Sequence, residues 1–396
     1  MIAFFLAPVY IIITIYILRW LLRWMRACHH IFAKRWIQVI TILFVSFIAA
    51  SILIVFFLPA SPVQRWLKLI SNYWLGTLLY IILTVVIADL IRFILKHCKW
   101  VNQEKLTSRK IFVIAGACCI ILISFLSIYG ILNARNIRTT NYEVTIDKSA
   151  GGLNSLNVVL VADLHLGYST GNRQVSQMVE RINEMDADLV VIAGDIFDNE
   201  YEALENPDEL VRIMSNIKTT YGVYACYGNH DIEEKILAGF TFNRDEHKDS
   251  DPRMDQLLKD ANIQLLRDEV VLIDNAFYLA GRPDYKNPGK GIEIRKTPSE
   301  LTIDLDHQKP IIVMDHEPLE LQEIADAGVD LDLCGHTHDG QMFPGNLIMN
   351  LLWENPCGYF KKDDMHNIVT SGVGVFGPAM RVGTKSEICN IEVTFR

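Results

Sequence analysis

Four apolar runs, at residues 2–18, 37–58, 73–95 and 111–132, constrain this chain more than any other feature of it. Each is close to the ~20 residues that an α-helix needs to cross a bilayer. In hydrocarbon every backbone N–H and C=O must find a partner within the protein, which a helix provides and an open strand does not. The only charges inside the runs are Asp89 and Arg92, near the end of the third. The first run has no basic segment ahead of it and no small-residue cleavage site, so it reads as a retained span and not as a signal peptide. Trp20, Trp24, Trp36, Trp66, Trp74 and Trp100 flank the runs, at the headgroup depth that indole rings prefer. An all-α membrane anchor of four transmembrane helices is therefore expected over residues 1–135.

Loop charges give an orientation. Arg19, Arg23, Arg26, Lys34 and Arg35 lie around the first connection, and Arg92, Lys96, Lys99, Lys105, Arg109 and Lys110 around the third. The second connection has only Arg65 and Lys68, and the stretch after the fourth run only Arg135 and Arg138. Basic loops stay cytoplasmic, so both chain ends are expected outside. The chain reads as a multi-pass protein of the cell membrane whose soluble part is extracytoplasmic. Asp89 is expected to pair with Arg92 or Arg19.

Composition changes after about residue 132. The hydrophobic share of the whole chain, 51%, is raised by the first third, and the remainder is mixed as in a water-soluble domain. A net charge of −9 argues against long nucleic acid as a partner. Cys28, Cys98, Cys118 and Cys119 lie in or beside apolar runs, Cys226 and Cys334 in apolar strands, and Cys357 and Cys389 have no evident setting. With no CxxC pair, most of them read as small buried thiols and not as zinc or redox sites.

Residues 136–156 read as a linker and first strand, and residues 157–396 as one α/β domain. Nearly continuous apolar runs at 157–162, 189–193, 223–227, 311–314 and 331–334 predict central strands covered on both faces. Helical spacing links them, through Val175, Met178, Val179 and Ile182, then Leu210, Ile213, Met214 and Ile217, then Leu257 and Leu258, and Leu319, Leu321 and Ile324. Later runs at 366–370 and 388–395 predict antiparallel strands, hence mixed sheets.

Directly after the five strands come Asp163-Leu164-His165, Gly194-Asp195-Ile196-Phe197-Asp198, Gly228-Asn229-His230-Asp231, Asp315-His316 and Gly335-His336-Thr337-His338. Singly, each fits a helix cap or an ordinary turn. Together they stand at the carboxyl ends of successive strands, where α/β sheets bind ligands. Asp, His and Asn supply the oxygen and nitrogen donors that suit Mn, Fe, Zn or similar divalent ions.

The five clusters, in this order, resemble the signature of the calcineurin-like metallophosphoesterase superfamily, from about residue 157 to the C-terminus. The tail, Ser371-Gly372-Val373-Gly374 with Arg381 and Glu387, resembles the bacterial membrane-associated branch. Where that branch has Gly-His-Thr-His-Gly-Gly-Gln, Asp339 replaces the first of the paired glycines, leaving Gly340 and Gln341 and adding a carboxylate beside the site. The resemblance implies a four-layer sandwich of two mixed β-sheets flanked by helices. It implies two divalent metal ions, one on Asp163, His165 and His338, the other on Asn229, His316 and His336, with Asp195 bridging them. It implies in-line attack on phosphorus by a metal-bridging hydroxide. His230 would protonate the leaving oxygen, oriented by Asp198. Asp231 is expected only to cap the following helix.

Outside these clusters, His247, His307 and His366 read as surface or packing residues, and His29 and His30 as interfacial. Arg282, Asp284 and Lys286 read as a solvated loop, with contact to substrate as the alternative. The apolar segment 347–353, between turn signals at Pro344-Gly345 and Asn355-Pro356, is either core or a shield for an acyl or prenyl chain. The expected activity is a phosphoric ester hydrolase acting on phosphate mono- or diester or pyrophosphate bonds, with a lipid or lipid-linked substrate. The alternatives are an extracytoplasmic nucleotide phosphatase or phosphodiesterase, and a non-catalytic interaction module. The second would be marked by lost ligand positions, and all seven are intact.

Overall fold

The structure is a computed structural model that describes residues 2–59, 61–232, 236–237, 240–241, 250–286 and 294–396. His247 lies outside the described residues. The chain forms two compact units, one of Met1–Leu132 with Ile236–Phe242 and Gly377–Met380, the other of Asn133–Lys235, Asn243–Phe376 and Arg381–Arg396.

The first unit is helical. Its long helices are α1 (Ile2–Cys28), α2 (Arg35–Phe57), α3 (Pro62–His97) and α5 (Arg109–Ala134), with a single turn, α4 (Gln103–Leu106), before the last. All four long helices are apolar and long enough to span a bilayer, so this is a membrane protein. α3 starts eleven residues ahead of its apolar run. Ser61 caps it through the Gln64 N–H at 3.2 Å, with Pro62 in the first turn, where a missing N–H costs nothing. Asp89 corrects an expectation. Its partner among the described residues is the Tyr16 hydroxyl, not an arginine. Short strands β5 (Ile236–Leu237) and β6 (Phe240–Thr241) pair with each other.

The second unit contains β1 (Ile137–Ile146), β2 (Ser155–Val161), α6 (Asn172–Asn183), β3 (Leu189–Ala193), α7 (Pro207–Met214), β4 (Val223–Cys226), α8 (Pro252–Asp260) and β7 (Ile263–Leu265). There follow β8 (Glu269–Ile273), β9 (Phe277–Gly281), α9 (Pro298–Thr302), β10 (Ile311–Met314), α10 (Leu321–Asp326), β11 (Leu331–Cys334), α11 (Gly345–Leu352), β12 (Gly358–Lys362), β13 (Met365–Val369) and β14 (Ser386–Phe395). One sheet runs β1-β14-β2-β3-β4-β7, the other β12-β13-β11-β10-β9-β8.

Period-two alternation within the strands explains the layers. On β2, Val158 and Leu160 face one core and Val159 and Val161 another. The first core also takes Ile312, Met314, Leu331 and Leu333 of the second sheet, so it fills the space between the sheets. The second takes Val175, Met178, Leu210 and Leu258 from α6, α7 and α8. On the far side, Ile311 and Val313 pack with Leu301, Leu321 and Ile324 of α9 and α10. The result is the four-layer α/β/β/α arrangement. Each fully buried Val, Leu or Ile contributes about 1.5–3 kcal/mol relative to exposure.

β14 is antiparallel to β2, as its sequence predicts, and parallel to the edge strand β1. β13 is a correction in part: it is antiparallel to β12 but parallel to its inner neighbour β11. Strand direction depends on the return path of the chain and leaves no trace in a five-residue apolar run. All eight cysteines are free, and Cys389 is buried in β14.

Candidate metal centre

β2, β3 and β4 lie side by side and parallel, as do β10 and β11 in the other sheet. All five polar clusters therefore leave their strands at the same end, and the seam between the sheets brings them together. Both carboxylate oxygens of Asp163 accept the His336 N–H at 3.0 Å across this seam. His316 reaches the Ala193 carbonyl through Nδ1 at 2.9 Å. Two glycines make the approach possible. A Cβ on Gly228 would lie 2.3 Å from Asp195 Oδ1, and one on Gly194, at φ +79, would lie 2.5 Å from His316 Nδ1.

The donor atoms converge in two groups. In the first, His165 Nε2 and His338 Nε2 are 3.0 Å apart, with Asp163 Oδ1 3.5 Å from His338 Nε2. In the second, His336 Nδ1 lies 2.9 Å from Asn229 Oδ1 and 3.2 Å from His316 Nε2. Asp195 Oδ2 faces both groups, 3.6 Å from His165 Nε2 and 3.1 Å from His316 Nε2. Its Oδ1 accepts the His230 N–H at 2.8 Å. All seven residues expected to hold metal thus come together.

The spacing fits ions. Ligands about 2.1 Å from a divalent cation sit roughly 3.0–3.4 Å from one another in octahedral or tetrahedral arrangements. Protonation supports the same conclusion. Burial pushes His165 down to about 3 and His338 well below the usual imidazole range, so both rings are neutral at pH 7. Two neutral nitrogens 3.0 Å apart can share at most one proton, whereas a cation satisfies both lone pairs. Burial lifts Asp163 to about 7 and lowers His336 to about 3. Burial also opposes charge on His316 and Asp195, but their attraction prevails, holding His316 well above and Asp195 well below their ordinary values. A cation entering between them displaces a proton.

His230 sits at the rim of the first group, its ring 4.4 Å from that of Phe376. Its Nδ1 is 2.6 Å from Asn199 Oδ1. Asp198, expected to orient this ring, forms a cluster with His165 and His230 whose donor atoms lie within 4.8 Å of one another. Asn199 escaped the sequence argument because it has no ionisable group. Its only signal was its place beside Asp198 in a loop.

Several other residues differ from expectation. Asp231 caps no helix among the described residues. Fully buried, it accepts the N–H groups of Phe197 at 2.8 Å and Gly228 at 2.7 Å, which ties two site loops together. Arg282 and Asp284 are not solvated but buried, each 1% exposed. Arg282 pairs with Asp315 at 2.6 Å and Glu320 at 2.8 Å, and Arg295 pairs with the same two acids at 2.9 and 2.7 Å. This network accounts for Asp315, which neighbours His316 but turns toward arginine. Arg381, fully buried, donates to the carbonyls of Ser371 at 2.5 Å and Gly374 at 2.8 Å, and lies 3.2 Å from His338 Nδ1. Asp339 takes φ +52, the left-handed conformation that a glycine adopts freely, and joins none of the metal-compatible groups among the described residues. Glu317, passed over in the sequence, is buried with Oε1 3.3 Å from His336 Nε2. His366 is a packing residue, held by Tyr359 at 3.0 Å and the Thr145 carbonyl at 2.9 Å.

The segment expected to be core or lipid shield is α11, and it is not core. None of its residues is buried, and Leu351 and Leu352 are 85% and 68% exposed. At its end the Trp353 ring stands 5.3 Å from that of His336.

Residues 156–340 match the family model described as calcineurin-like phosphoesterase. The chain is similar to a transmembrane protein with metallophosphoesterase domain from Danio rerio, 26% identical over 374 residues, 89% of this chain and 79% of the relative. It is similar to a metallophosphoesterase of Campylobacter jejuni, 25% identical over 355 residues, 88% of this chain and 87% of the relative. It is also similar to a UDP-2,3-diacylglucosamine pyrophosphatase of Chlamydia trachomatis, 23% identical over 297 residues, 64% of this chain and 88% of the relative.

Proposed function

Because the chain carries a calcineurin-like metallophosphoesterase domain behind four membrane-spanning helices, and is thus a metal-dependent phosphoester hydrolase of a membrane, we propose that it cleaves a lipid-linked phosphate or pyrophosphate ester at a two-metal centre. In this account residues 1–135 anchor the chain, 136–156 lead out of the membrane, and 157–396 catalyse. Asp163, His165 and His338 would hold one divalent ion, Asn229, His316 and His336 would hold the second, and Asp195 would be shared between them. Bound there, the ions would supply Lewis acidity, lowering the pKa of water so that it attacks phosphorus near neutral pH and offsetting charge on the non-bridging oxygens. His230 hands a proton to the departing oxygen. Asn199 occupies its Nδ1, which leaves Nε2 for that transfer, and Asp198 supplies negative charge beside the ring. The basic loops after α1 and α3 favour the cell membrane with the catalytic domain outside.

The observation that carries the substrate class is α11, a helix of exposed Leu and Ile side chains that runs into Trp353 beside His336. Exposed apolar side chains of this kind next to a reaction centre suit a substrate whose phosphate continues into a hydrocarbon chain. The name of the chlamydial relative, a pyrophosphatase of a diacylated sugar nucleotide, points to the same class. Kinetics on matched substrates test it. Replacing Leu351, Leu352 and Trp353 with serine should raise KM for an acylated phosphoester in mixed micelles and leave a small soluble diester unchanged. An equal effect on both substrates, or none on either, would remove the lipid and leave soluble nucleotides as the class to pursue.

A further inference from the structure

A histidine that binds a metal through one ring nitrogen must carry its proton on the other, and what holds that proton sets the ring's tautomer and angle. His316 meets this need with a backbone carbonyl, its Nδ1 lying 2.9 Å from Ala193 O. His338 has its Nδ1 against Arg381, and His165 Nδ1 has no hydrogen-bond partner among the described residues. His336 differs from all three. Its Nδ1 is the nitrogen among the donors, beside Asn229 and His316. Its Nε2 points outward, 3.3 Å from Glu317 Oε1.

Glu317 is suited to hold that proton and little else explains it. Its side chain is 4% exposed, and its other oxygen, Oε2, is buried with no hydrogen-bond partner among the described residues. A buried carboxyl without a compensating interaction costs several kcal/mol in order-of-magnitude terms. His336 needs such a brace more than its neighbours, because its side chain is 23% exposed where those of the other three imidazoles are at most 9%. The second donor group also holds no carboxylate of its own beyond the shared Asp195.

We propose that Glu317 is the positioning residue of the second metal site, accepting the Nε2 proton of His336 so that Nδ1 is presented to the ion. The proposal rests on the two-metal account above. Chelator-stripped, detergent-solubilised full-length chain, titrated with Mn²⁺ by calorimetry, tests it without reference to turnover. Wild type should take up two ions. Glu317→Ala should weaken one of them by roughly 10–100-fold, the usual cost of losing an outer partner, and leave the other as it was. Glu317→Gln keeps an acceptor oxygen and nearly the same volume, so it should restore most of that loss. Apo-protein melting temperatures close to wild type would show that both variants fold. Unchanged affinity in Glu317→Ala overturns the proposal, and so does equal weakening in both variants, which would make Glu317 a source of charge and not a proton acceptor. Fewer than two ions on the wild-type chain would defeat the two-metal account itself, and that result is distinct from either of these.

Discussion

Five of the seven candidate ligands, Asp163, His165, Asp195, His336 and His338, have positive φ between 43° and 72°. Side chains other than glycine rarely adopt this region, and each instance costs of order 1–3 kcal/mol. Such a concentration of strain at the strand ends where the two sheets meet is what a preorganised site requires and a merely stable one avoids. At this scale the candidate ligands were legible in the sequence because five clusters of Asp, Asn and His follow five apolar strands in turn, although each alone would pass for a cap or a turn. The residues that hold them in place were less so. Asn199, Glu317 and Asp231 act through contacts between loops from different strands, which no local pattern reveals. Two substitutions separate roles here. His230→Ala should keep its metals and slow turnover by roughly 10²–10⁴, the range for general acid catalysis. The loss should shrink for nitrophenyl leaving groups, which depart without a proton. A uniform loss across leaving groups would make His230 structural. Asp315→Ala should also keep the metals but cost about 3–5 kcal/mol of stability, because Arg282 and Arg295 would lose a buried counter-ion. Loss of an ion with stability intact would make Asp315 a ligand.

Among elements, the five central strands were readable to within two residues because burial on both faces makes them continuously apolar. The helices α6 and α7 were readable from one-sided spacing. What failed was relational. The direction of β13 and the burial of Arg282 both follow from partners far along the chain. α11 shows the opposite limit. Its sequence is equally apolar in a core and on a surface, and only the fold distinguishes them. Two residues, Arg135 and Asn136, separate the end of α5 at Ala134 from β1, which begins at Ile137 within the expected linker and first strand and pairs over its whole length with β14.

For the whole molecule, the apolar runs and the loop charges act independently. The first makes this a membrane protein, and the second carries the proposal that catalysis occurs outside the cell. A cysteine introduced at exposed Lys218 should react with an impermeant maleimide in intact cells, above the background of the unsubstituted chain, and one at exposed Lys105 should react only after lysis. The opposite pattern would put the hydrolase in the cytoplasm, facing soluble nucleotides.

The claim on which everything else depends is that Asp195 is shared between two ions. Its Oδ2 faces His165 in one group and His316 in the other, and no other carboxylate does so among the described residues. Element-specific mass spectrometry of purified wild type and Asp195→Ala measures this directly. Two divalent ions per wild-type chain, and loss of both in the variant, is the predicted result. Two ions retained at normal affinity by Asp195→Ala would contradict the account.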